Sequence, residues 1–482
     1  MMQQEPTGDP GPHVHFIAIG GAGMGALASI LLQRGYRISG SDVAENATTK
    51  RLREQGATVF FGHDASHVAG ADWVVYSSAL SVDNVELQAA RESGVPVLHR
   101  SEMLARVMDQ GRGIAIAGAH GKTTTTSMVA LVFERAGLDP TFVVGGVLAN
   151  LNTGAHAGSG EYVIAEADES DRSFLNYRPW AAAITNIEAD HLEYYDGKFA
   201  NLKRAYREFA LGVDPAGVLI GCGDDEHVRD VMQEAPCRTI TYSTAGTAAD
   251  YAAVDVQFAA TGSRFRVLYR GEELGEAALR IPGAHNIANA LAAIALAREA
   301  GIAFPAIVRA LAEFSGALRR FQTVYEGRGV LIMDDYAHHP TEIRATIHAL
   351  KVTGRRIVAV FQPQRYTRTM HLFEEFAAAF GEADQVIIAD IYSPAGEQPI
   401  AGVTAERLTA AVRKRSNATA VFCQRREDVL ARLRESVREG DLVLTMGAGD
   451  VWRVGAELAE WLEGSGGGPE FGRHTKVDVA SE

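Results

Sequence analysis

The chain has 482 residues, 47% of them hydrophobic and 22% charged, so it exceeds what one hydrophobic core organises and reads as two to four packed domains. A formal net charge of -14 with no lysine-arginine block argues against a nucleic-acid partner, whose phosphates need a basic face. The opening MMQQEPTGDPGPH lacks a basic-then-apolar leader and no run is long enough to span a bilayer, which predicts a cytoplasmic protein with no membrane partner.

An apolar run from Val14 to Ile19 enters a glycine cluster, GALASILLQRG follows with helical spacing, and YRISGSD predicts a second strand ending at Asp42. Strands at TVFFG, DWVVYSSA and PVLHR complete a first α/β unit, residues 1–110, of the Rossmann-like, mainly parallel kind. GIAIAGAHGKTTTTSMVALVFERAG then opens a second unit, 111–315, as strand, loop and helix. Strands at FVVGG, YVIAEAD and AAAITNI continue it to the helix HNIANALAAIALAREAG. Within that unit the alternation of YAAVDVQFAATGSRFRVLYRGEELGEAALRIPG predicts an antiparallel insert. A third Rossmann-like unit, 316–463, restarts with helix TEIRATIHALK and strands RRIVAVFQP, DQVIIADI and DLVLTMGAGD, and 464–482 reads as a flexible tail. Cys222, Cys237 and Cys423 form neither a metal spacing nor a disulfide framework.

Two loops suit phosphate. Gly21, Ala22, Gly23, Met24, Gly25 and Ala26 fit G-x-G-x-x-G/A between strand and helix, with Asp42 about twenty residues on. Such a turn lets a diphosphate approach a helix N-terminus, but it does not identify the cofactor, and Asp42 alone reads equally as a cap or a surface residue. Gly118, Ala119, His120, Gly121, Lys122 and Thr123 carry a G-K-T core, with Lys122 placed for the β/γ-phosphates and Thr123 for Mg²⁺. Ile116 stands where a standard Walker A has glycine. Thr124 and Thr125 fall in the first helical turn, where hydroxyls can help hold phosphate oxygens.

YVIAEAD delivers Glu166 and Asp168 to the C-terminal end of a strand, and TNIEADHLEYYD does the same for Glu188, Asp190 and His191. Mg²⁺ prefers oxygen, so carboxylates from these clusters suit it better than the imidazole. His285, Asn286 and Asn289 offer polar groups to a base or ribose at helical spacing, or else Asn286 caps the helix. DDYAHHP presents Asp335, Tyr336, His338 and His339, and QPQRYTRT presents Arg365 and Arg368, two arginines able to clamp an anion.

Taken in order, the GGAGM loop, GAHGKTTTT, EADESD, NIEADHL, GAHNIANALAA, RRFQ, DDYAHHPTE and QPQRYTRT resemble the Mur ligases, ATP-dependent amide-forming enzymes of bacterial cell-wall synthesis. The likeness runs from about residue 14 to 462 and is greatest to the alanine-adding branch, over the branch that takes a ready-made tripeptide. It implies that the first loop holds the uridine diphosphate of UDP-N-acetylmuramate rather than NAD, with Gly21, Ala22, Gly23, Met24, Asp42, Ser77 and Ser78 on that substrate. It implies ATP on Gly118, His120, Gly121, Lys122, Thr123, Thr124, His285, Asn286, Asn289, Arg320 and Asp335. Mg²⁺ would be held by Thr123, Glu166 and His191, with Lys122, Glu166, His191 and Arg320 as the catalytic set. Tyr336, His339, Arg365 and Arg368 would meet substrate anions. The partners implied are UDP-N-acetylmuramate and L-alanine, in a monomer or homodimer. Gln364 departs from the branch's pattern, which has His there, and whether His339 or a carboxylate deprotonates the amino acid stays open.

Overall fold

The computed structural model describes residues 11–464 except 247, 260, 261 and 394–396, so the expected tail beyond 464 lies outside the described residues. Three sheets follow one another along the chain. The first contains β1 (His13–Ile17), β2 (Arg37–Asp42), β3 (Thr58–Phe61), β4 (Trp73–Tyr76) and β5 (Val97–His99). All pair in parallel in the order β3-β2-β1-β4-β5. The strand order reverses between β1 and β4, which opens a ligand crevice at their C-terminal ends. The glycine loop leaves β1 there, and the serines Ser77 and Ser78 leave β4 beside it.

This unit encloses a fully buried carboxylate. Glu86 is bonded by His67 Nδ1 at 2.6 Å, His63 Nδ1 at 3.2 Å and the Asp64 amide at 3.3 Å, and it also accepts from the Ser41 hydroxyl. Burial pushes the carboxyl up, but the His15 ring 3.7 Å away and hydrogen bonds from Ser41 and His67 outweigh it and hold the group at about 2.

The second sheet has ten strands. β6 (Arg112–Ala117), β7 (Thr141–Leu148), β8 (Thr153–His156), β9 (Tyr162–Glu166) and β10 (Ala181–Ile184) form one side with the phosphate loop. β11 (Val218–Cys222), β12 (Arg238–Ser243), β13 (Tyr251–Ala259), β14 (Gly262–Tyr269) and β15 (Glu272–Leu279) form the other. The order is β15-β14-β13-β12-β11-β10-β6-β9-β7-β8. The stretch expected as an antiparallel insert is antiparallel through β13, β14 and β15. It is not set apart, because β13 pairs in parallel with β12 through Tyr242 and Tyr251 and so extends the central sheet.

The third sheet joins β16 (Gln322–Gly327), β17 (Val330–Asp335), β18 (Arg356–Phe361), β19 (Gln385–Ala389), β20 (Val421–Cys423) and β21 (Asp441–Met446) in the order β16-β17-β21-β18-β19-β20. All its pairs are parallel except β16 with β17. The strands of VLIM, RIVAVF and DLVLTM are buried on both faces, as their unbroken apolar runs require.

Both joints between units are packed, and the central core also runs on into Leu331, Ile343 and Phe361 of the third unit. Helix Arg100–Met108 buries Met103, Leu104, Val107 and Met108 in a core continuous with Ala115, Val163 and Ala182 of the central sheet. Arg34 adds a 3.0 Å bond to Thr141. The crossing into the third unit is pinned to the end of β7: Leu148 bridges Ala317, and the Leu318 amide donates to Val147 at 2.9 Å. It then turns through three left-handed residues, Gly316 (φ 95°), Arg319 (φ 61°) and Phe321 (φ 50°).

Candidate active site

The sequence makes a phosphate loop between β6 and helix Lys122–Arg135 because glycine stands where the backbone turns left-handed. Gly118 has φ 138° and a Cβ there would lie 1.9 Å from Thr185 Oγ1, while Gly121 caps the helix at φ 82°. No side chain caps that helix, so the N–H groups of its first turn and its dipole are left for an anion. The loop is held from below: Asn186 Oδ1 accepts from the His120 amide at 2.9 Å and Thr185 donates to the His120 carbonyl at 2.6 Å.

Lys122 Nζ donates to Gly118 O at 2.6 Å and to both oxygens of Glu169 at 2.8 and 3.0 Å. Burial disfavours its charge, but Glu169 and Asp168 raise its pKa above the ordinary value. Thr123 Oγ1 donates to Glu166 at 3.2 Å, and Glu166 accepts from the Gly145 amide at 2.6 Å. A hydroxyl and a carboxylate thus meet at the loop, an oxygen pair that suits Mg²⁺. His191 lies in a different set, with Asp190 at 3.6 Å, Glu193 at 3.7 Å and Arg368 Nη2 at 3.4 Å.

A cavity of about 380 Å³ opens beside the loop, between the second and third units. His120, Gly121, Thr124, His285, Asn286, Asn289, Arg320 and Asp335 all line it, so most of the residues expected around a nucleotide converge. Burial holds His285 down to about 4 and hence uncharged. The cap of helix Ala284–Glu299 is Gly283, not Asn286, whose Nδ2 instead donates back to Pro282 O at 2.6 Å. Asp335, pushed up to about 6 by burial, accepts from the Phe321 and Ala337 amides at 2.8 Å each and so sets the turn that presents Arg320. Tyr336 lies under both Arg319 and Arg320, at 5.1 and 4.9 Å from its ring.

The wall shared by the two units is charged. His120 Nε2 is 3.3 Å from Glu188 and its Nδ1 is 3.2 Å from Glu342, which also lies 3.6 Å from Arg320. Burial lowers the His120 pKa, but the two carboxylates raise it to about 9, so the ring is a cation at neutral pH. His339 caps helix Pro340–Leu350 through a 3.3 Å bond from the Thr341 amide. The two arginines expected as one clamp are used differently. Arg368 is buried against Asp190 at 3.4 Å and Gln364 at 2.9 Å, whereas Arg365 is fixed by its backbone, donating to Tyr392 O at φ 68°.

At the first loop, Gly21 begins helix Ala22–Gln33 with no side-chain cap, which again leaves N–H groups for an anion. Asp42 is turned inward: its Oδ2 accepts from the Gly20 amide at 2.8 Å. Ser78 donates to Asp171 of the central unit at 2.6 Å. Sequence reasoning missed Arg100, whose Nη1 lies 3.0 Å from where a Cβ on Gly23 would stand and adds a cation beside Met24. It also missed Glu169 and Glu342, and the cavity-lining Asp224, Asp225 and Tyr242; the acidic run EADESD and the motif DDYAHHPTE were their faint signals.

Three family models match in succession: Mur ligase family, catalytic domain, over residues 13–112; Mur ligase middle domain over 116–297; and Mur ligase, glutamate ligase domain, over 319–449. The chain is 47% identical over 454 residues to the UDP-N-acetylmuramate-L-alanine ligase of Pelotomaculum thermopropionicum, covering 94% of this chain and 98% of that one. Its fold is similar to the crystal structure of UDP-N-acetylmuramate-alanine ligase from Thermotoga maritima, with a TM-score of 0.78, 28% identity and coverage of 94% and 99%. A murein peptide ligase from Psychrobacter arcticus shares the fold at a TM-score of 0.68 and 24% identity, covering 94% and 99%.

Proposed function

The chain belongs to the Mur ligase family, and we propose that it joins L-alanine to the lactyl carboxylate of UDP-N-acetylmuramate, consuming ATP and releasing ADP and phosphate. The observation that carries this reading is the 47% identity over nearly the whole of both chains to an alanine-adding ligase. The product, UDP-N-acetylmuramoyl-L-alanine, is a peptidoglycan precursor, and a reaction that consumes ATP and a nucleotide sugar suits the cytoplasm. Among the described residues no helix is long and apolar enough to cross a membrane.

A carboxylate does not form an amide unaided because its oxygen leaves poorly. Transfer of the ATP γ-phosphoryl to the lactyl carboxylate makes an acyl phosphate, the alanine amine adds to its carbonyl, and the tetrahedral adduct expels phosphate. Such chemistry asks for positioned cations more than for a protein nucleophile. Lys122 and Arg320 flank the loop and cavity and neutralise charge on the transferring group. His285, Asn286 and Asn289 hold the base and ribose, and His120, Gly121 and Thr124 the phosphates. Thr123 and Glu166 would hold Mg²⁺, with His191 as a third ligand. The ion supplies Lewis-acid charge stabilisation when bound. Arg365, Arg368, Tyr336 and His339 bind the anionic ends of the substrates on the third unit, whose closure excludes water from the acyl phosphate. Gly21, Gly23, Asp42, Ser77 and Ser78 bind the uridine diphosphate moiety, with Arg100 on its phosphates.

Phosphate release from ATP and Mg²⁺ with UDP-N-acetylmuramate tests the reading. Stimulation by L-alanine, with a product heavier by one alanyl residue, supports it; stimulation confined to L-Ala-γ-D-Glu-meso-diaminopimelate would move the chain to the tripeptide-adding activity.

A further inference from the structure

The seam between the second and third units holds two imidazoles and a carboxylate in the arrangement of a metal centre. His120, Glu188 and His339 each offer one ligand atom, and these atoms all lie within 4.8 Å of one another. Glu188 Oε2 is the hub, 3.3 Å from His120 Nε2 and 3.7 Å from His339 Nδ1. Ligands about 2.0–2.2 Å from a tetrahedral zinc ion stand about 3.4 Å apart, and the two distances from Glu188 bracket that value.

Outer contacts fit the same reading. The ion displaces the Nε2 proton that the carboxylates hold on the His120 ring at neutral pH, while Nδ1 keeps its proton for Glu342 at 3.2 Å, the outer carboxylate that a metal-bound histidine usually has. Glu188 is oriented by a 2.9 Å bond from the Thr341 hydroxyl. An ion on His339 Nδ1 replaces the 3.3 Å bond from the Thr341 amide, and the ring is 5% exposed with its Nε2 unpartnered among the described residues. The rings of His120 and His339 lie with centroids 4.6 Å apart, close enough for one ion to serve both.

We propose that His120, Glu188 and His339 form a second cation site, selective for borderline ions of the zinc class, which ties the central unit to the third unit across the nucleotide cavity. Two nitrogens and one oxygen suit zinc, cobalt or nickel over magnesium, whereas Thr123 with Glu166 offers the hard oxygen donors magnesium prefers. His120 belongs to the phosphate loop and lines the cavity, so an ion here competes with nucleotide and inhibits ligation.

Zinc binding to the metal-free full chain tests the site without reference to turnover. Equilibrium dialysis with Zn²⁺ alone is expected to give one tight ion per chain. Glu188→Gln and His339→Asn should each weaken it by about tenfold or more, the scale on which even outer-shell partners of a metal matter. Asparagine keeps a side-chain acceptor at the start of helix Pro340–Leu350, so that variant retains its cap. Zn²⁺ should raise the melting temperature of the parent chain and not of the two variants. Co²⁺ in its place should show visible d–d bands without a thiolate charge-transfer band, which separates this site from Cys222 nearby in the cavity wall. Absence of saturable Zn²⁺ binding, equal affinity in both folded variants, or a thiolate band would each overturn the proposal.

Discussion

Lys122 and Glu169 form a nearly buried ion pair, Nζ to Oε2 2.8 Å, at the mouth of the phosphate loop. The lysine that is to meet the nucleotide phosphates already has a carboxylate partner, so nucleotide must compete for it. Lys122→Ala should therefore abolish ligation, by about 10³-fold or more, the scale of losing a preorganised transition-state cation. Affinity for UDP-N-acetylmuramate, measured by calorimetry, should stay within about twofold, because the first loop lies on another unit. Near-normal turnover in this variant would falsify the loop assignment.

The same pair should be visible in stability. Removing one partner strands the other charge, so Glu169→Gln alone should destabilise the central unit by about 3 kcal/mol. Combining it with Lys122→Met should recover much of that loss. A double-mutant cycle by chemical denaturation measures the coupling, and additive effects would mean that the contact carries no energy of its own.

Gln364 accepts a 2.9 Å bond from Arg368 Nη1. Glutamine does not titrate, whereas a histidine there, with an unperturbed pKa near 6.5, becomes a cation beside the guanidinium in mild acid. Gln364→His should thus raise the KM for L-alanine as pH falls from about 7.5 to 6, a limb the parent enzyme lacks at this position. Identical pH profiles of the two proteins would separate Gln364 from amino-acid binding.

Glu86 makes the first unit acid-labile. Its carboxyl is held at about 2 against an ordinary 4.5, so the folded state binds fewer protons than the unfolded one in that window. The stabilisation is complete above about 4.5 and is lost as pH falls toward 2, on the order of 3 kcal/mol in all. Hydrogen exchange of β1 and β2 against pH should show this loss, and Glu86→Gln should flatten it. The variant starts from lower stability at neutral pH, since an amide cannot replace the charge the histidines face.

Gly121 is strained by any side chain. It lies at φ 82°, and a Cβ would meet Asn289 Oδ1 at 2.5 Å. Gly121→Ala should cost about 1–2 kcal/mol of backbone strain and weaken ATP binding more than UDP-N-acetylmuramate binding, as paired titrations would report.

The three α/β units and both glycine loops were legible because apolar strands, glycine-rich strand-to-helix turns and amphipathic helices each impose a local pattern. The convergence of Asn289, Arg320 and Asp335 on one cavity followed from motif likeness, and their distances from the fold alone. What stayed hidden depends on tertiary pairing. Nothing local marks Glu169 among the acids of EADESD as the partner of Lys122, or Glu342 as the carboxylate shared by His120 and Arg320. Asn286 reads as a cap because asparagine favours caps, yet Gly283 already supplies the turn. The arginine pair in QPQRYTRT reads as one clamp by spacing, but the left-handed backbone at Arg365 sends the two residues to different surroundings. The antiparallel β13–β15 meander was legible by alternation, while its parallel join to β12 was not.

The crossing from the second unit to the third behaves as an axle rather than a tether. Its first half is stitched to β7 by Ala317 and Leu318, and its second half is set by the left-handed turns at Arg319 and Phe321. Such bracing predicts that a displacement of the third unit pivots at this short segment. Two dyes, one on each side of that segment, should report a change in separation when nucleotide and nucleotide sugar are added together, and replacing Gly316 by a residue that resists a left-handed backbone should alter it.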